Sequence, residues 1–450
     1  MTKAVVILAA GKGTRMQSDL PKVLHPLAGA PMLAHSIFCA QAINAQKTII
    51  VAGHGSDQVT AAAKKYDEDA QIVLQTAQNG TGHAVDQARD ALSGFDGDVY
   101  VLYGDTPFIT PEILDQMAQK RTDGASVVVL GFDVPAPSNY GRLVIKDGAL
   151  DAIVEAKDAT PEQQEIRLCN SGVICAPRDL LFDLISEITN DNASGEYYLT
   201  DVVSLARARG LSCAAVECTA QDAMGVNSRR ELAIAEAHFQ DKARASAMDN
   251  GATLLDPKTV WFSYDTHVGR DVVIEQNVVF GPGVTVETDA HIRAFSHIEG
   301  AHISQHVVVG PYARLRPGAE LADGARVGNF VEIKNAAIGE GAKVNHLSYI
   351  GDASIGDAAN IGAGTITCNY DGYFKHHTEI GARAFIGSNT MLVAPVRVGD
   401  DALTGSGSVI TRDVADGDLA LARATQANKT GLALKLMSKL KAAKAALKKD

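Results

Sequence analysis

The stretch from Val268 to Ile298, VGRDVVIEQNVVFGPGVTVETDAHIRAFSHI, sets an apolar residue at 268, 274, 280, 286, 292 and 298 without a gap. A helix repeating every 3.6 residues cannot keep that series on one face, and a strand's two-residue alternation would not single out every sixth position. A coil with three flat sides, one hexapeptide to a side, directs each sixth residue into a shared interior. After a one-residue slip the period continues at Ile303, Val309, Leu315, Leu321, Val327 and Ile333. Further slips lead to Ile338, Val344 and Ile350, then to Ile355, Ile361 and Thr367. An interruption follows, and the count resumes at Ile380, Ile386, Leu392, Val398, Thr404 and Ile410. Glycines and small polar residues are expected at the corners, where the backbone turns sharply. The spacing predicts a parallel β-helix.

The first half of the chain follows another rhythm. AVVILAA, TIIVAG (48–53), QIVLQ (71–75), DVYVLYGD (98–105) and ASVVVLGF (125–132) read as strands. Ala-rich stretches with helical spacing, such as 32–46 and 84–92, lie between several of them. Apolar runs alternating with helices predict a parallel sheet covered on both faces. Lys3 followed by AVVILAA could pass for a minimal signal peptide, but the run is short and β-branched, and suits a first buried strand better. The segment 228–248, SRRELAIAEAHFQDKARASAM, has helical composition, and DNGATLLDP then breaks it. The expected division is therefore 1–227, a connecting helix over 228–248, and a β-helix with a C-terminal tail over 249–450.

Bulk properties narrow the function classes. The 450 residues carry a net charge of -12, which argues against a general nucleic-acid binder. Six cysteines are scattered without metal-type spacing, as expected of reduced thiols in a cytoplasmic protein. No apolar run approaches the roughly 20 residues of a membrane span. The basic end, ALKLMSKLKAAKAALKKD, reads as a solvated terminal helix, with no stable membrane association expected.

Behind the first strand lies LAAGKGTRM (8–16), followed by PKVL (21–24). Met16 stands where a dinucleotide fingerprint needs its third glycine, and Lys12 lacks the spacing of a P-loop. What remains is a glycine turn whose backbone N–H groups can nest an anion, with Arg15 and Lys22 available to phosphate oxygens. A tight strand-to-helix turn with solvated basic residues is the plainer reading of the loop alone. Asp105 ends an apolar strand, at the edge where open α/β sheets bind ligands.

Taken with QNGTGHA (78–84), LYGD (102–105), NYGR (139–142), VEAKDA (154–159), CNSG (169–172) and GVN (225–227), the loop resembles the signature of sugar-phosphate nucleotidyltransferases. The resemblance implies a Rossmann-like α/β domain in which Leu8, Ala9, Ala10, Gly11 and Gln75 contact the uracil and ribose, and Gly80 and Thr81 help select uracil. It implies that Lys22 and Arg15 hold a triphosphate, and that Tyr103, Gly104 and Asp105 line the UTP and UDP-N-acetylglucosamine site. Asp105 with Asn227 would bind Mg²⁺, and Gly141, Glu155 and Asn170 the sugar.

In the β-helix the quoted stretches are YARLRPG (312–318), GNFVEIK (328–334), KVNHLSY (343–349), NIGAGT (360–365) and the interruption TCNYDGYFKHHTE (367–379). In this order they resemble the acetyltransferase half of the bifunctional N-acetylglucosamine-1-phosphate uridylyltransferase / glucosamine-1-phosphate acetyltransferase family. That family implies a left-handed coil, against the usual right-handed rule for parallel crossovers, and a homotrimer with active sites between subunits. An acyl transfer to an amine needs a base, and a histidine near neutrality suits it. The matching position is His346. Arg316, Lys334, Tyr349 and Asn360 fall on the glucosamine-1-phosphate positions. Ala363, Asn369, Tyr370, Ser388, Ser406 and Arg423 fall on those for acetyl-CoA. Two departures stand out: the family commonly has alanine at 406, which favours a backbone contact there, and RATQ (423–426) replaces the more usual R-x-P.

The resemblance thus implies two activities, acetylation of glucosamine 1-phosphate and transfer of UMP from UTP to the product. A nucleotidyltransferase whose β-helix only assembles or regulates it is the second reading. A non-catalytic solenoid surface is the third.

Overall fold

A computed structural model describes residues 2–136 and 138–447. They form two compact units. One runs through Ser246 and takes in Phe262–Asp265; the other takes Ala247–Trp261 and the chain from Thr266 on. The helix Arg229–Asp249 spans the sequence boundary between them.

In the first unit the strand Lys3–Ala9 is buried on both faces, which is why its sequence is a continuous apolar run. Ala4, Val6 and Leu8 enter one core and Val5, Ile7 and Ala9 the other. The main path of the sheet runs Cys213–Cys218, Val127–Asp133, Leu168–Pro177, Asp98–Tyr103, Lys3–Ala9, Lys47–Ala52, Gln71–Leu74. It is not wholly parallel as expected. Leu168–Pro177 runs antiparallel to both neighbours, because the chain reaches it from the antiparallel hairpin Arg142–Lys146/Ala149–Val154 rather than through a covering helix. The predicted helix over 84–92 is also shorter, Thr81–Asp86, and continues as turns. Strand order reverses beside Lys3–Ala9, which pairs with Lys47–Ala52 on one side and Asp98–Tyr103 on the other. Its carboxyl end is a topological switch point, and residues 10–16 lie there.

The second unit is a left-handed parallel β-helix of short strands. From Ile274 to Ile410 every residue of the periodic series is buried. Val268 is only half-buried, since the strand His267–Val268 pairs on one side alone, with Thr285–Val286. Coils stack in register, Ile292 on Val309, Val309 on Val327, Val327 on Val344 and Val344 on Ile361. The interruption shows as the next step, Ile361 on Ile386.

Corners take a left-handed backbone at the third position after the apolar residue, as at Asn277, Asp289 and Asn389. At the slips it moves to the second position, Gly300, Asn335 and Asp352. The missing residue is therefore lost from a corner, and the interior column stays unbroken. Not all corners are small or polar, contrary to expectation. Phe295, Tyr312, Phe330 and Leu347 adopt positive φ on one edge, and the first three rings stack with centroids 4.9 and 5.2 Å apart. Ring stacking offsets part of the cost of that backbone for bulky residues.

Ile350 is fully buried in the coil stack. Ile350→Ala should lower the stability of this unit by about 2–5 kcal/mol in denaturant unfolding. A change below about 0.5 kcal/mol, the range of surface substitutions, would place residue 350 outside the core.

Candidate active sites

At the switch point three distant segments meet. The Lys22 ammonium donates to the Asp105 carboxylate and, at 2.9 Å, to the amide oxygen of Asn227. Residue 105 lies in the turn two residues past the strand Asp98–Tyr103 rather than ending it, 227 precedes a long helix, and 22 opens the single turn Lys22–Leu24. Gly13, with φ +60°, lets the loop lie against Lys22, since a Cβ there would come 2.6 Å from that of Lys22. Arg15 is exposed on the adjoining turn Thr14–Met16. Leu8, Ala9 and Ala10 are buried at the strand end, whereas Gly11 is exposed with open space around it.

Beside this loop a cleft of about 370 Å³ is lined by Lys12, Gly53, His54, Leu74, Gln75 and Gln78, among others. Gln78 donates to the Ala10 carbonyl at 2.7 Å, and Gln75 donates to the Gly80 carbonyl at 3.1 Å. The Thr81 hydroxyl accepts the Leu199 N–H and also meets the Tyr103 hydroxyl. The Tyr103 ring leaves no room for a Cβ at Gly172, in the strand Leu168–Pro177. Burial pushes its phenol pKa far up, and the Asp105 and Glu155 charges add to that, so Tyr103 is a neutral hydrogen-bonding group. Gly104 donates to the Leu8 carbonyl, tying the two central strands at their ends.

Among the residues predicted to meet the sugar, Asn170 accepts the Gly172 N–H, and its own N–H goes to the Gly141 carbonyl. A Cβ on Gly141 would touch both Glu155 oxygens at 3.4 Å. Burial raises the Glu155 pKa; a hydrogen bond from Thr200 opposes this, and the Asp158 and Asp201 charges reinforce it.

In the β-helix the predicted residues fall into two files. Ser406, Ser388, Ala363 and His346 stand one above another at the same place in successive coils. The Gly407 N–H reaches Ser388 O, Asn389 reaches Ala363 O, and Gly364 reaches His346 O. Arg423 joins the file by donating to the Ser406 carbonyl at 2.6 Å. Below it Asn329 bonds His346 Nδ1 at 2.9 Å. An amide oxygen only accepts, so Nδ1 carries the proton and Nε2 keeps its lone pair.

The second file lies beyond the corner Leu347. Arg316 and Lys334 succeed each other on one face, with Gly351 next. Arg316 bonds Glu332 at 2.9 Å, and Lys334 faces Asp352 at 3.6 Å. Asn335 and Asn369 both donate to Asp352, and Asn369 also reaches the Tyr349 hydroxyl at 3.5 Å. Burial works against the Asp352 carboxylate, but the two amides and Lys334 outweigh it and hold its pKa below the usual range. Within one chain, then, Arg316 and Lys334 sit across a face from His346. Between them a hollow of about 400 Å³ is bordered by Tyr312, Phe330, Glu332, Leu347 and Tyr349. Asn360 opens a strand opposite Lys343, on the face that His346 ends. Tyr370 lies in the interruption, a hairpin fastened by Asp371, which accepts from Tyr373, Phe374 and His376. The rings of Tyr373 and Phe374 project into solvent, 90% and 70% exposed.

Residues 5–181 match the MobA-like NTP transferase domain and 377–412 the bacterial transferase hexapeptide (six repeats). The bifunctional protein GlmU of Ruegeria sp. (strain TM1040) is 61% identical over 446 residues, 99% of each chain. That of Jannaschia sp. (strain CCS1) is 58% identical over 99% of this chain and 98% of its own, and that of Ruegeria pomeroyi is 61% identical over the full length of both. The chain belongs to the bifunctional GlmU family.

Several side chains in these GlmU-type sites escape motif reading. Asp352 and Asn335 carry a readable signal, since with the predicted Asn369 they repeat at coil spacing on one corner. Asn329 likewise lies one coil below His346. Thr200 carries none, because its partner Glu155 lies on another element. Glu231 is readable as the acidic residue three after Ser228 at a helix start, where the Ser228 hydroxyl accepts the Glu231 N–H and Glu231 accepts the Asn227 N–H. The six cysteines are free thiols, as expected. Among the described residues no helix is long and apolar enough to cross a membrane. The helix Leu432–Ala446 has no buried residue, and 448–450 of the basic end lie outside the described residues.

Proposed function

We infer that the two units perform successive reactions. The chain is a bifunctional enzyme of UDP-N-acetylglucosamine synthesis: it acetylates glucosamine 1-phosphate with acetyl-CoA, then couples N-acetylglucosamine 1-phosphate to UTP with release of pyrophosphate. Full-length identity to bifunctional relatives, over both scaffolds together, is the observation that carries this.

We propose that uridylyl transfer takes place in the first unit. A phosphate oxygen of the sugar 1-phosphate attacks the α-phosphorus of UTP, and the bond to the β-phosphate oxygen breaks. No covalent intermediate with the protein is needed; positioning and charge neutralisation lower the barrier. Asp105 and Asn227 aim two oxygens at one cationic nitrogen, a donor set suited to Mg²⁺, which takes one or two protein oxygens and fills its shell from phosphate and water. Bound there, Mg²⁺ would neutralise phosphate charge. Lys22, released from those oxygens, and Arg15 bond the phosphates. Tyr103, Thr81, Gly80 and Gln75 shape the uracil side, and Gly141, Glu155 and Asn170 the sugar.

In the second unit the amine of glucosamine 1-phosphate attacks the thioester carbonyl. His346 Nε2 takes the amine proton as the C–S bond breaks, and passes it to the departing thiolate. Arg316 and Lys334 hold the phosphate, Tyr349 and Asn360 the sugar, and the file from Ala363 to Arg423, with Asn369 and Tyr370, the acetyl-CoA. The distance of Arg316 and Lys334 from His346 across a face supports a homotrimer, in which one chain's far edge meets another's near edge. The exposed aromatic corner and the Tyr373–Phe374 hairpin offer contact area. Sedimentation equilibrium should give three times 47.3 kDa; a monomer with full acetyl transfer would refute the shared site.

Product analysis from glucosamine 1-phosphate, acetyl-CoA, UTP and Mg²⁺, omitting each in turn, tests the whole reading. UDP-N-acetylglucosamine should form only from the full set. Acetylated sugar phosphate should still form without UTP.

Glu155 gives a pH signature. With its pKa raised by burial, it protonates at higher pH than an ordinary glutamate and then loses the charge that strengthens its acceptance of sugar hydroxyls. On acidification from neutral, KM for N-acetylglucosamine 1-phosphate should rise in wild type and stay flat in Glu155→Gln. Parallel profiles would remove Glu155 from the sugar site.

A further inference from the structure

We propose that Arg229 is a positioning residue for uridylyl transfer, fastening the turn that carries Arg15 and the segment that carries Lys22 to the head of the helix Arg229–Asp249. The proposal rests on the reading of the first unit as the uridylyl-transfer site. Arg229 Nε donates to the Met16 carbonyl at 3.3 Å, and its terminal nitrogen meets His25 Nδ1 at 3.2 Å. Met16 closes the turn Thr14–Met16, which has left-handed residues on both sides, Gly13 and Gln17. Gln17 pays for that conformation without glycine's freedom, so the turn needs an outside restraint. His25 in turn closes Lys22–Leu24, with its N–H on the Lys22 carbonyl.

The same helix end holds the third member of the cluster. Glu231 accepts the Asn227 N–H at 2.6 Å. With the Gly13–Lys22 contact and the bonds from Lys22 to Asp105 and Asn227, the links form a closed ring. A shift of Arg229 would move both phosphate-binding cations relative to Asn227.

The imidazole is suited to this role. A guanidinium has only donors, so Nδ1 must accept and the proton sits on Nε2. His25 is 2% exposed, and among the described residues its Nε2 meets no hydrogen-bond partner. Burial first, and the Arg229 charge second, keep the ring neutral and able to accept. Only the Nδ1 edge is used, which makes the role separable from mere packing.

The test compares full-length Arg229→Ala, His25→Asn and His25→Leu with wild type, in both reactions. Arg229→Ala should raise the UTP KM about tenfold, with KM for N-acetylglucosamine 1-phosphate within about twofold and acetyl transfer intact. His25→Asn keeps an acceptor near the Nδ1 position and should stay within about threefold of wild type, while His25→Leu should follow Arg229→Ala. An unchanged UTP KM in Arg229→Ala, or a fall in kcat alone as expected from a smaller folded fraction, would overturn the proposal. Wild-type protein that makes no UDP-N-acetylglucosamine would instead overturn the functional reading beneath it.

Discussion

Lys22→Ala should cut kcat/KM for uridylyl transfer by about 10²–10³-fold while leaving acetyl transfer unchanged. Its ammonium touches both Asp105 and Asn227, and in the proposed site it would also neutralise the triphosphate. Removing it leaves a half-buried carboxylate without its counter-ion and the phosphates with less positive charge. Pyrophosphate release and CoA thiol release, measured on the same preparation, separate the two sites. The acetyl-transfer assay serves as an internal control on protein concentration. Retention of more than about a tenth of wild-type uridylyl transfer would mean that Lys22 is only a structural partner of Asp105.

The complementary result is expected of His346→Ala, with acetyl transfer down by about 10²–10⁴-fold and uridylyl transfer from supplied N-acetylglucosamine 1-phosphate unaffected. The side chain is exposed, so truncation leaves no core cavity, and the loss reads chemistry rather than folding. Asn329→Ala provides a finer check. It removes the group that holds the proton on Nδ1, so acetyl transfer should fall about tenfold through a misoriented ring. If His346→Ala acetylates as well as wild type, the base lies elsewhere and the file from Ala363 to Arg423 loses its chemical meaning.

Much of the molecule was legible in the chain. The β-helix was legible because its interior is a single column. Each apolar residue from Ile274 to Ile410 meets the same environment, so one period suffices. The strand Lys3–Ala9 was legible because both its faces are buried. Failures came where geometry depends on a neighbour. Leu168–Pro177 has the composition of any buried strand, and its antiparallel direction follows from the hairpin before it. Phe295, Tyr312 and Phe330 look like core residues by type, yet they stand on a corner because rings one coil apart can stack there.

What the sequence by itself determined is the pair of scaffolds and the identities of the charged groups, since hydrophobic period and motif order are local properties of the chain. Only the tertiary structure decided which of those groups meet. Lys22, Asp105 and Asn227 are brought to one point by strand order and by a helix start, and the proton on His346 is assigned by an amide one coil below. Such contacts join residues far apart along the chain, and no spacing rule along one segment encodes where a distant side chain will arrive.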